Sequence, residues 1–167
     1  MLEFKENFKT PKSKVESNSK KARLEAAKSL IRGVQSGGQQ IENALPNLLD
    51  NALDANVWSW PRPTIRENGT VVGGTRTITD TGRLKASKKV KVKFLQTKTL
   101  FTIAYTAPYA TLVHEGGYVL PYGDATKNPT YLPGRPWISA VLTGNNSAIE
   151  YLDIESFMAA SIANEFS

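Results

Sequence analysis

The chain has 167 residues, 40% of them hydrophobic and 22% charged, with a net charge of +6. This length and composition are those of one ordinary globular domain, and no apolar run approaches the roughly 18 residues needed to cross a bilayer. The absence of cysteine excludes a disulfide scaffold and a thiolate metal site, and it favours a reducing compartment.

The N-terminal third predicts a basic arm followed by two helices. Residues 1–16 are polar, lysine-rich and interrupted by Pro11, which is typical of a flexible arm that orders on assembly. A first helix is expected from Ser17 or Ser19, and Ser36-Gly37-Gly38 is expected to stop it. A second, amphipathic helix is expected over 39–55. The apolar positions of the two helices are Leu24, Ala27, Leu30, Ile31 and Val34, then Ile41, Leu45, Leu48, Leu49, Ala52 and Leu53.

The next segment breaks the helical pattern. Pro46 predicts either a kink in the second helix or its true first turn, because proline lacks an N–H donor. Trp58 to Pro63 ends helical structure, and each of the two tryptophans there is either a core residue or an anchor at a subunit interface. Residues 64–80 favour a mobile loop or a small hairpin that turns at Asn68-Gly69.

Two strands form the predicted sheet. Val90, Val92 and Phe94 alternate with lysines, and Phe101, Ile103 and Tyr105 alternate with Leu100, Thr102 and Ala104. This period of two is typical of half-buried strands, so Val90–Leu95 and Thr99–Thr106 are expected as central antiparallel strands, with a turn at 96–98. The sheet is expected to pack on the helix at 39–55.

The C-terminal part predicts short helices around a long loop. Tyr109 to His114 favours a helical turn closed by Gly116-Gly117, and residues 118–134 a long loop. Pro136 to Leu142 and residues 148–166 are expected to be helical. The candidate buried positions of the last helix are Ile149, Leu152, Phe157, Ala160 and Ile162. These elements predict one α+β domain over 17–167: a small antiparallel sheet, an N-terminal amphipathic helix and additional C-terminal helices.

Catalytic and metal-binding patterns are weak in this chain. His114 beside Glu115 is an acid–base pair in composition, but a hydrogen bond or subunit contact is the favoured interpretation. Asp80, Ser87 and His114 have the residue types of a hydrolytic triad. Ser87, however, lacks the G-x-S-x-G motif that usually marks the nucleophilic serine. The sequence has neither a Walker A motif nor a G-x-G-x-x-G fingerprint. We therefore expect no enzyme activity, no cofactor and no metal ion.

The charge distribution is asymmetric. Basic residues are concentrated in the N-terminal fifth and again over 83–98, where Lys89, Lys91 and Lys93 share one strand face, whereas the C-terminal segment is acidic. Such asymmetry suits head-to-tail packing of subunits, a surface near DNA phosphates, or simply a solvated face. The lysine strand lacks exposed aromatic residues, which disfavours base stacking but leaves a basic nucleic-acid-binding accessory protein as an alternative function.

Three short segments occur in a fixed order along the chain. They are Thr81-Gly82-Arg83-Leu84-x-x-Ser87, then Tyr109-Ala110-x-x-Val113-x-Glu115-Gly116-Gly117, then Pro133-x-Arg135-Pro136-Trp137-Ile138. The order resembles the HK97 gp10-like family of tail-component, or tail-completion and neck, proteins of tailed bacteriophages, over about residues 40–143. The motif or subunit-interface residues are Gly82, Leu84, Tyr109, Glu115, Gly116, Arg135, Pro136 and Trp137.

The resemblance implies a non-enzymatic structural protein. It implies a ring, six-fold like the phage tail tube, at the head–tail junction of the virion, assembled in the host cytoplasm. The implied neighbours are connector or stopper proteins and the tail terminator or tail-tube proteins, with at most transient, sequence-independent DNA contact and no membrane. A tail terminator that caps the tail tube is the alternative within this class. Arg135, on a stiff loop between prolines, is expected to pair with an acid of another subunit.

Overall fold

The computed structural model describes residues 12–66, 68–95, 99–120, 126 and 128–167, with the side chains of 12–17 and Pro61 left out. Its longest element is helix α1, Lys12–Asp54. The strands of the described residues pair as three antiparallel hairpins. They are β1 (Trp58–Ile65) with β2 (Val71–Arg76), β3 (Lys88–Phe94) with β4 (Thr99–Tyr105), and β5 (Gly116–Val119) with β6 (Thr130–Pro133). The described residues also form four further helices, which are α2 (Arg83–Ala86), α3 (Ala110–Glu115), α4 (Trp137–Thr143) and α5 (Ile154–Phe166). The predicted α+β class is confirmed.

Helix α1 is continuous where two helices were predicted. It passes through Gly37-Gly38, so the expected stop there is wrong, and Pro46 lies inside the helix instead of at its first turn. The glycines are retained because neighbouring elements approach too closely for a side chain. A Cβ atom at Gly37 would lie 2.8 Å from the Met158 sulfur, and one at Gly33 would lie 2.7 Å from the Ile162 Cα. Tertiary packing therefore stabilises a helix that local propensity interrupts.

The expected N-terminal arm is shorter than predicted. Residues 12–16 belong to α1, whereas residues 1–11 lie outside the described residues. Of the predicted apolar face of the first helix, Leu24, Leu30 and Ile31 are exposed. The apolar stripe of the second helix is instead buried as predicted, with Ile41, Leu45 and Leu49 at its centre.

The core lies between the C-terminal half of α1, hairpin β3–β4, and α4. Val90 is paired with Ile103 and Val92 with Phe101, and Val90, Phe101 and Ile103 pack against the buried core as the alternation predicted. The two strands form an isolated hairpin instead of the centre of a larger sheet. Lys88 connects this hairpin to α1, because its Nζ donates to the Pro46 carbonyl and to the Asp50 carboxylate, each at 2.6 Å.

Residues 64–80, expected to be a loop or a small hairpin, contribute to a hairpin, and the expected long loop at 118–134 contains paired strands. The turn at Asn68-Gly69 is confirmed, since the Asn68 side chain accepts a hydrogen bond from the Thr70 amide and Gly69 has a φ of 82°. The prolines of β1 coincide with a register shift between Trp60 and Thr64. The predicted loop at 118–134 starts and ends in hairpin β5–β6, where Tyr118 faces Tyr131 across the strands. The predicted turn at 96–98 lies outside the described residues.

The C-terminal helix is shorter than expected. It begins at Ile154, after Asp153, whose side chain accepts hydrogen bonds from the amide and the hydroxyl of Ser156. Those bonds lower the pKa of the Asp153 carboxyl. Ile149 and Leu152 are buried as predicted but precede the helix, whereas Ala160 is exposed and the neighbouring Ser161 is buried against α1.

Candidate functional site

The three motif segments meet in space around Trp60. The Arg135 amide donates to the Val113 carbonyl at 3.0 Å and so joins the third segment to the second. The first two segments, together with Trp60, line a shallow groove of about 280 Å³ that contains Gly82, Leu84 and Tyr109. The order read in the sequence thus corresponds to one structural unit, which we call the motif cluster (residues 81–87, 109–117 and 133–138).

The first segment forms a tight turn and a core anchor. Gly82 precedes α2 with a φ of 78°, a left-handed conformation that L side chains rarely adopt. A Cβ atom there would meet no neighbour within 4 Å, so the backbone angle alone accounts for the glycine. Two residues later Leu84 points into the core. Its position in the motif is therefore accounted for by packing.

The second segment has both an exposed and a constrained part. Tyr109 and Glu115 are exposed, and Glu115 Oε1 lies 2.5 Å from His114 Nδ1. Gly116 has a φ of 82°, and a Cβ atom on it would lie 2.5 Å from the Gly134 amide nitrogen. Gly116 thus lets the second and third segments touch backbone to backbone. Tyr109 and Glu115 are thus the exposed members of the eight motif or interface residues named from the sequence.

Arg135 is buried, contrary to the prediction that it pairs across a subunit boundary. Its side chain is 1% exposed, and its Nη atoms donate to the carbonyls of Pro133 and Ser59 at 3.0 and 3.1 Å. Its guanidinium carbon lies 3.4 Å from the centroid of the Trp60 ring. None of the ion pairs between described residues includes Arg135. Burial, with a smaller contribution from the charge of Arg76, lowers its pKa to about 10.

The end of the third segment is also structural. Pro136 stands at the N-terminus of α4, and Trp137 is fully buried. The Trp137 ring meets the ring of Tyr105 edge to face at 5.3 Å and that of His114 at 4.8 Å. Edge-to-face pairs of this kind add to the stability already gained from burial. Trp137 therefore connects the motif cluster to strand β4.

The two remaining tryptophans have different environments. Trp58 is buried, and its indole N–H donates to the Ala52 carbonyl at 2.8 Å, so it is a core residue. Trp60 is half-buried and carries two guanidinium groups over its ring, those of Arg76 and Arg135 at 3.7 and 3.4 Å. Cation–π contacts of this kind are favourable when the cation is desolvated. Of the two alternatives left open by the sequence, a core residue or an interface anchor, the structure shows the first for Trp58. Trp60 lies at the centre of the motif cluster.

The hydrolytic triad considered from the sequence has no matching geometry. The Ser87 hydroxyl donates to the Leu84 carbonyl at 2.8 Å, and Asp80 lies 3.8 Å from the Arg66 guanidinium. His114 is in contact with Glu115 and Trp137. Each of the three side chains is thus engaged with a different neighbour. Among the described residues there is also no group of three metal-ligating side chains.

The lysine face of β3 is exposed as predicted. Lys89, Lys91 and Lys93 point to solvent and stand opposite Ala104, Thr102 and Leu100 of β4. Phe94, Phe101 and Tyr105 belong to the other, half-buried face. The exposed face of this hairpin therefore combines positive charge with small or aliphatic neighbours and lacks an aromatic surface for stacking bases.

Sequence reasoning missed the role of Arg76 and that of the glycines of α1. Arg76 lies in a Gly- and Thr-rich stretch, and nothing in its local pattern indicates a contact with Trp60. The signal for the glycines was present, because Gly33 and Gly37 are four residues apart and so share one helix face. Small residues at that spacing allow another helix to approach closely. Close helix packing is therefore the alternative interpretation of glycines that were predicted to stop the helix.

Comparison with protein-family models, with curated proteins and with solved structures found no match for this chain. Among the residues that the structure describes, no helix is long and apolar enough to cross a membrane.

Proposed function

We propose that this chain is a structural protein of a tailed-phage virion that forms a ring at the head–tail junction, as a neck or tail-completion protein. The ring would be six-fold to match the tail tube, and it would join the DNA-filled head to the tail. Its neighbours would be connector or stopper proteins on one side and tail-terminator or tail-tube proteins on the other. It would assemble in the host cytoplasm.

The observation that supports this proposal is the motif cluster. Three short segments whose order resembles that of the HK97 gp10-like family are far apart in sequence, yet they form one unit around Trp60. Of the eight motif or interface residues named from the sequence, Tyr109 and Glu115 have exposed side chains, and these are the candidates for contact with a neighbouring ring.

A non-catalytic role is part of the proposal. The side chains with the chemistry for hydrolysis, Asp80, Ser87 and His114, are each bonded to different neighbours. The groove beside the motif cluster is small and open, and its lining includes Arg83 and Lys85 beside Asp80. This arrangement suits recognition of a protein surface better than positioning of a substrate.

The test is a cryo-EM reconstruction of the neck of particles that contain this chain. A ring of this fold between the portal and the tail tube is the expected result, and it would give the symmetry directly. A ring seated on the last layer of the tail tube would favour the tail terminator. Absence of the chain from the particle would overturn the proposal.

A basic nucleic-acid-binding accessory protein is the second candidate, supported by the exposed row Lys89, Lys91 and Lys93. Phosphate binding by lysines is sequence-independent and weakens steeply with salt. Tight, salt-dependent binding of the purified chain to random duplex DNA, lost when the three lysines are changed to glutamine, would favour this function. A control variant with glutamine at Lys20, Lys21 and Lys28 would show whether the loss of three positive charges elsewhere weakens DNA binding equally.

A further inference from the structure

The N-terminal half of α1 presents an apolar stripe that is largely exposed. Every residue from 18 to 28 is exposed, and Leu24, Leu30 and Ile31 have exposed fractions of 56%, 46% and 46%. Leu24, Ala27, Ile31 and Val34 follow one another at spacings of three, four and three residues. This is the spacing at which side chains line one face of a helix and contact a partner.

The stripe extends beyond the intramolecular partner of α1. Helix α5 runs antiparallel to α1, since Gly37 meets Met158, Gly33 meets Ile162, and Arg32 pairs with Glu165 at 2.8 Å. Because α5 ends at Phe166, residues 18–28 project about 16 Å beyond it at 1.5 Å per residue. A single exposed helix of this length is marginal in water by itself, so a partner is expected to stabilise it.

The stripe ends in a groove. Leu30, Ile31 and Val34 of α1 face Phe94, Leu95 and Thr99 of the β3–β4 hairpin across a space of about 470 Å³. Leu95 and Leu100 at this end of the hairpin are also exposed. The stripe and the groove therefore form one apolar surface, which lies on two different elements of the fold.

Charge indicates which surface covers it. Between residues 18 and 32 the chain has Lys20, Lys21, Arg23, Lys28 and Arg32 against a single acid, Glu25. Two copies of this helix side by side would bring like charges together. The segment 144–167 has the opposite character, with Glu150, Asp153, Glu155 and Glu165 and no basic residue, and Tyr151 there is 53% exposed.

We propose that the projecting half of α1 (residues 18–32) binds the acidic C-terminal surface (Glu150, Tyr151 and Glu155) of a second copy of this chain, head to tail. The stripe supplies apolar contact and the flanking charges select the partner surface. Contact between two different surfaces of identical subunits generates a ring when the rotation closes. The inference rests on the proposed ring and names the surfaces that build it.

Cross-linking tests the contact directly, because the chain has no cysteine of its own. Full-length chains with Leu24→Cys are mixed with chains with Tyr151→Cys and treated with a bismaleimide. The expected result is a covalent dimer in the mixture and none with either variant alone. Dimers of the Leu24→Cys chain by itself would indicate helix-to-helix pairing and overturn the inference. A Thr102→Cys chain on the lysine face is the matched control.

Charge reversal provides a second test that does not depend on exact geometry. Lys21→Glu with Arg23→Glu should weaken assembly at low salt by about tenfold or more, and so should Glu150→Lys with Glu155→Lys. All four changes in one chain should restore assembly, because each surface then again meets its opposite. Lys91→Glu with Lys93→Glu should have no such effect. Sedimentation velocity measures all of these, and circular dichroism checks that each variant is folded.

The outcomes separate this inference from the proposed function. A monomeric wild type, unchanged assembly of the reversed variants, or no recovery in the fourfold variant would each overturn the inference. A ring at the head–tail junction is decided independently by the particle reconstruction. A ring built through other surfaces would leave the proposed function standing and remove this interface.

Discussion

Phe94 occupies the space that a side chain at position 38 would need. A Cβ atom on Gly38 would lie 2.4 Å from Phe94 Cε1, well inside van der Waals contact. The relationship connects the middle of α1 to the end of strand β3. It also explains how a glycine pair that should end a helix becomes a site where a hairpin packs on it.

Gly38→Ala should therefore destabilise the protein, although the same change in an exposed helix stabilises by about 0.5–1 kcal/mol. We expect a loss of about 1–3 kcal/mol in the free energy of unfolding, the usual cost of overpacking. Phe94→Leu alone should also destabilise, but in the double variant the smaller side chain should recover part of the loss. Additive losses in this double-mutant cycle, measured by urea unfolding, would show that the two positions are not coupled.

The contact of α1 with α5 gives a graded prediction. Gly33→Ala would place a Cβ atom 2.7 Å from the Ile162 Cα, so the α5 backbone must move, and we expect a loss of about 1–3 kcal/mol. Gly37→Ala first meets the flexible Met158 side chain and should cost less. Ser36→Ala, an exposed position of the same helix, is the control and should be neutral or slightly stabilising. Equal stability of the Gly33 and Ser36 variants in thermal unfolding would contradict this packing.

Arg135 should behave as a folding residue. Arg135→Ala would leave the Pro133 and Ser59 carbonyls without their donor and open a cavity beside Trp60, so we expect a loss of about 2–4 kcal/mol. Arg135→Lys should also destabilise, because an ammonium cannot reproduce the planar fork. Arg62→Ala, at an exposed arginine bonded to Thr130, should change stability by less than about 0.5 kcal/mol. A stable Arg135→Ala monomer that fails only in assembly would restore the interface interpretation.

Tyr105 should make the protein sensitive to alkaline pH. Burial raises the pKa of its hydroxyl to about 12, whereas an unfolded tyrosine ionises near pH 10. The unfolded state therefore releases this proton first, and stability falls as the pH rises from about 10 to about 12. The lowered pKa of Arg135 makes stability rise with pH over the same range. This contribution is the same in wild type and in a chain with Tyr105→Phe.

Tyr105→Phe should consequently lose less stability than wild type between pH 10 and 12. At pH 7 it should be about as stable as wild type, because the buried hydroxyl has the Trp137 indole beside it but makes no hydrogen bond of normal geometry with a described residue. Urea midpoints at pH 7, 9.5 and 11 measure both effects, with Tyr151→Phe as the control at an exposed ring. If the urea midpoints of wild type and Tyr105→Phe fell in parallel with rising pH, the alkaline loss of stability would not come from Tyr105.

The sequence by itself determined the features that have a local or periodic signal. The alternation at 88–105 specified strands, their buried face and the exposed lysines, because side chains on a strand point to opposite sides in turn. The apolar spacing at 41–53 specified a buried helix face, and Asn68-Gly69 specified a hairpin turn. The α+β class follows from these elements.

What only the tertiary structure decided depends on which neighbours approach. Gly33, Gly37 and Gly38 remain helical because α5 and Phe94 lie against them. The four-residue spacing of Gly33 and Gly37 allows a close helix, but it does not identify which element approaches. The sequence predicted an interface role for Arg135, because a charged side chain between prolines suggests exposure. In the structure the Pro133 and Ser59 carbonyls and the Trp60 ring contact its guanidinium in the interior. Periodicity at 24–34 identifies an apolar helix face, whereas only the packing of the chain determines what covers that face.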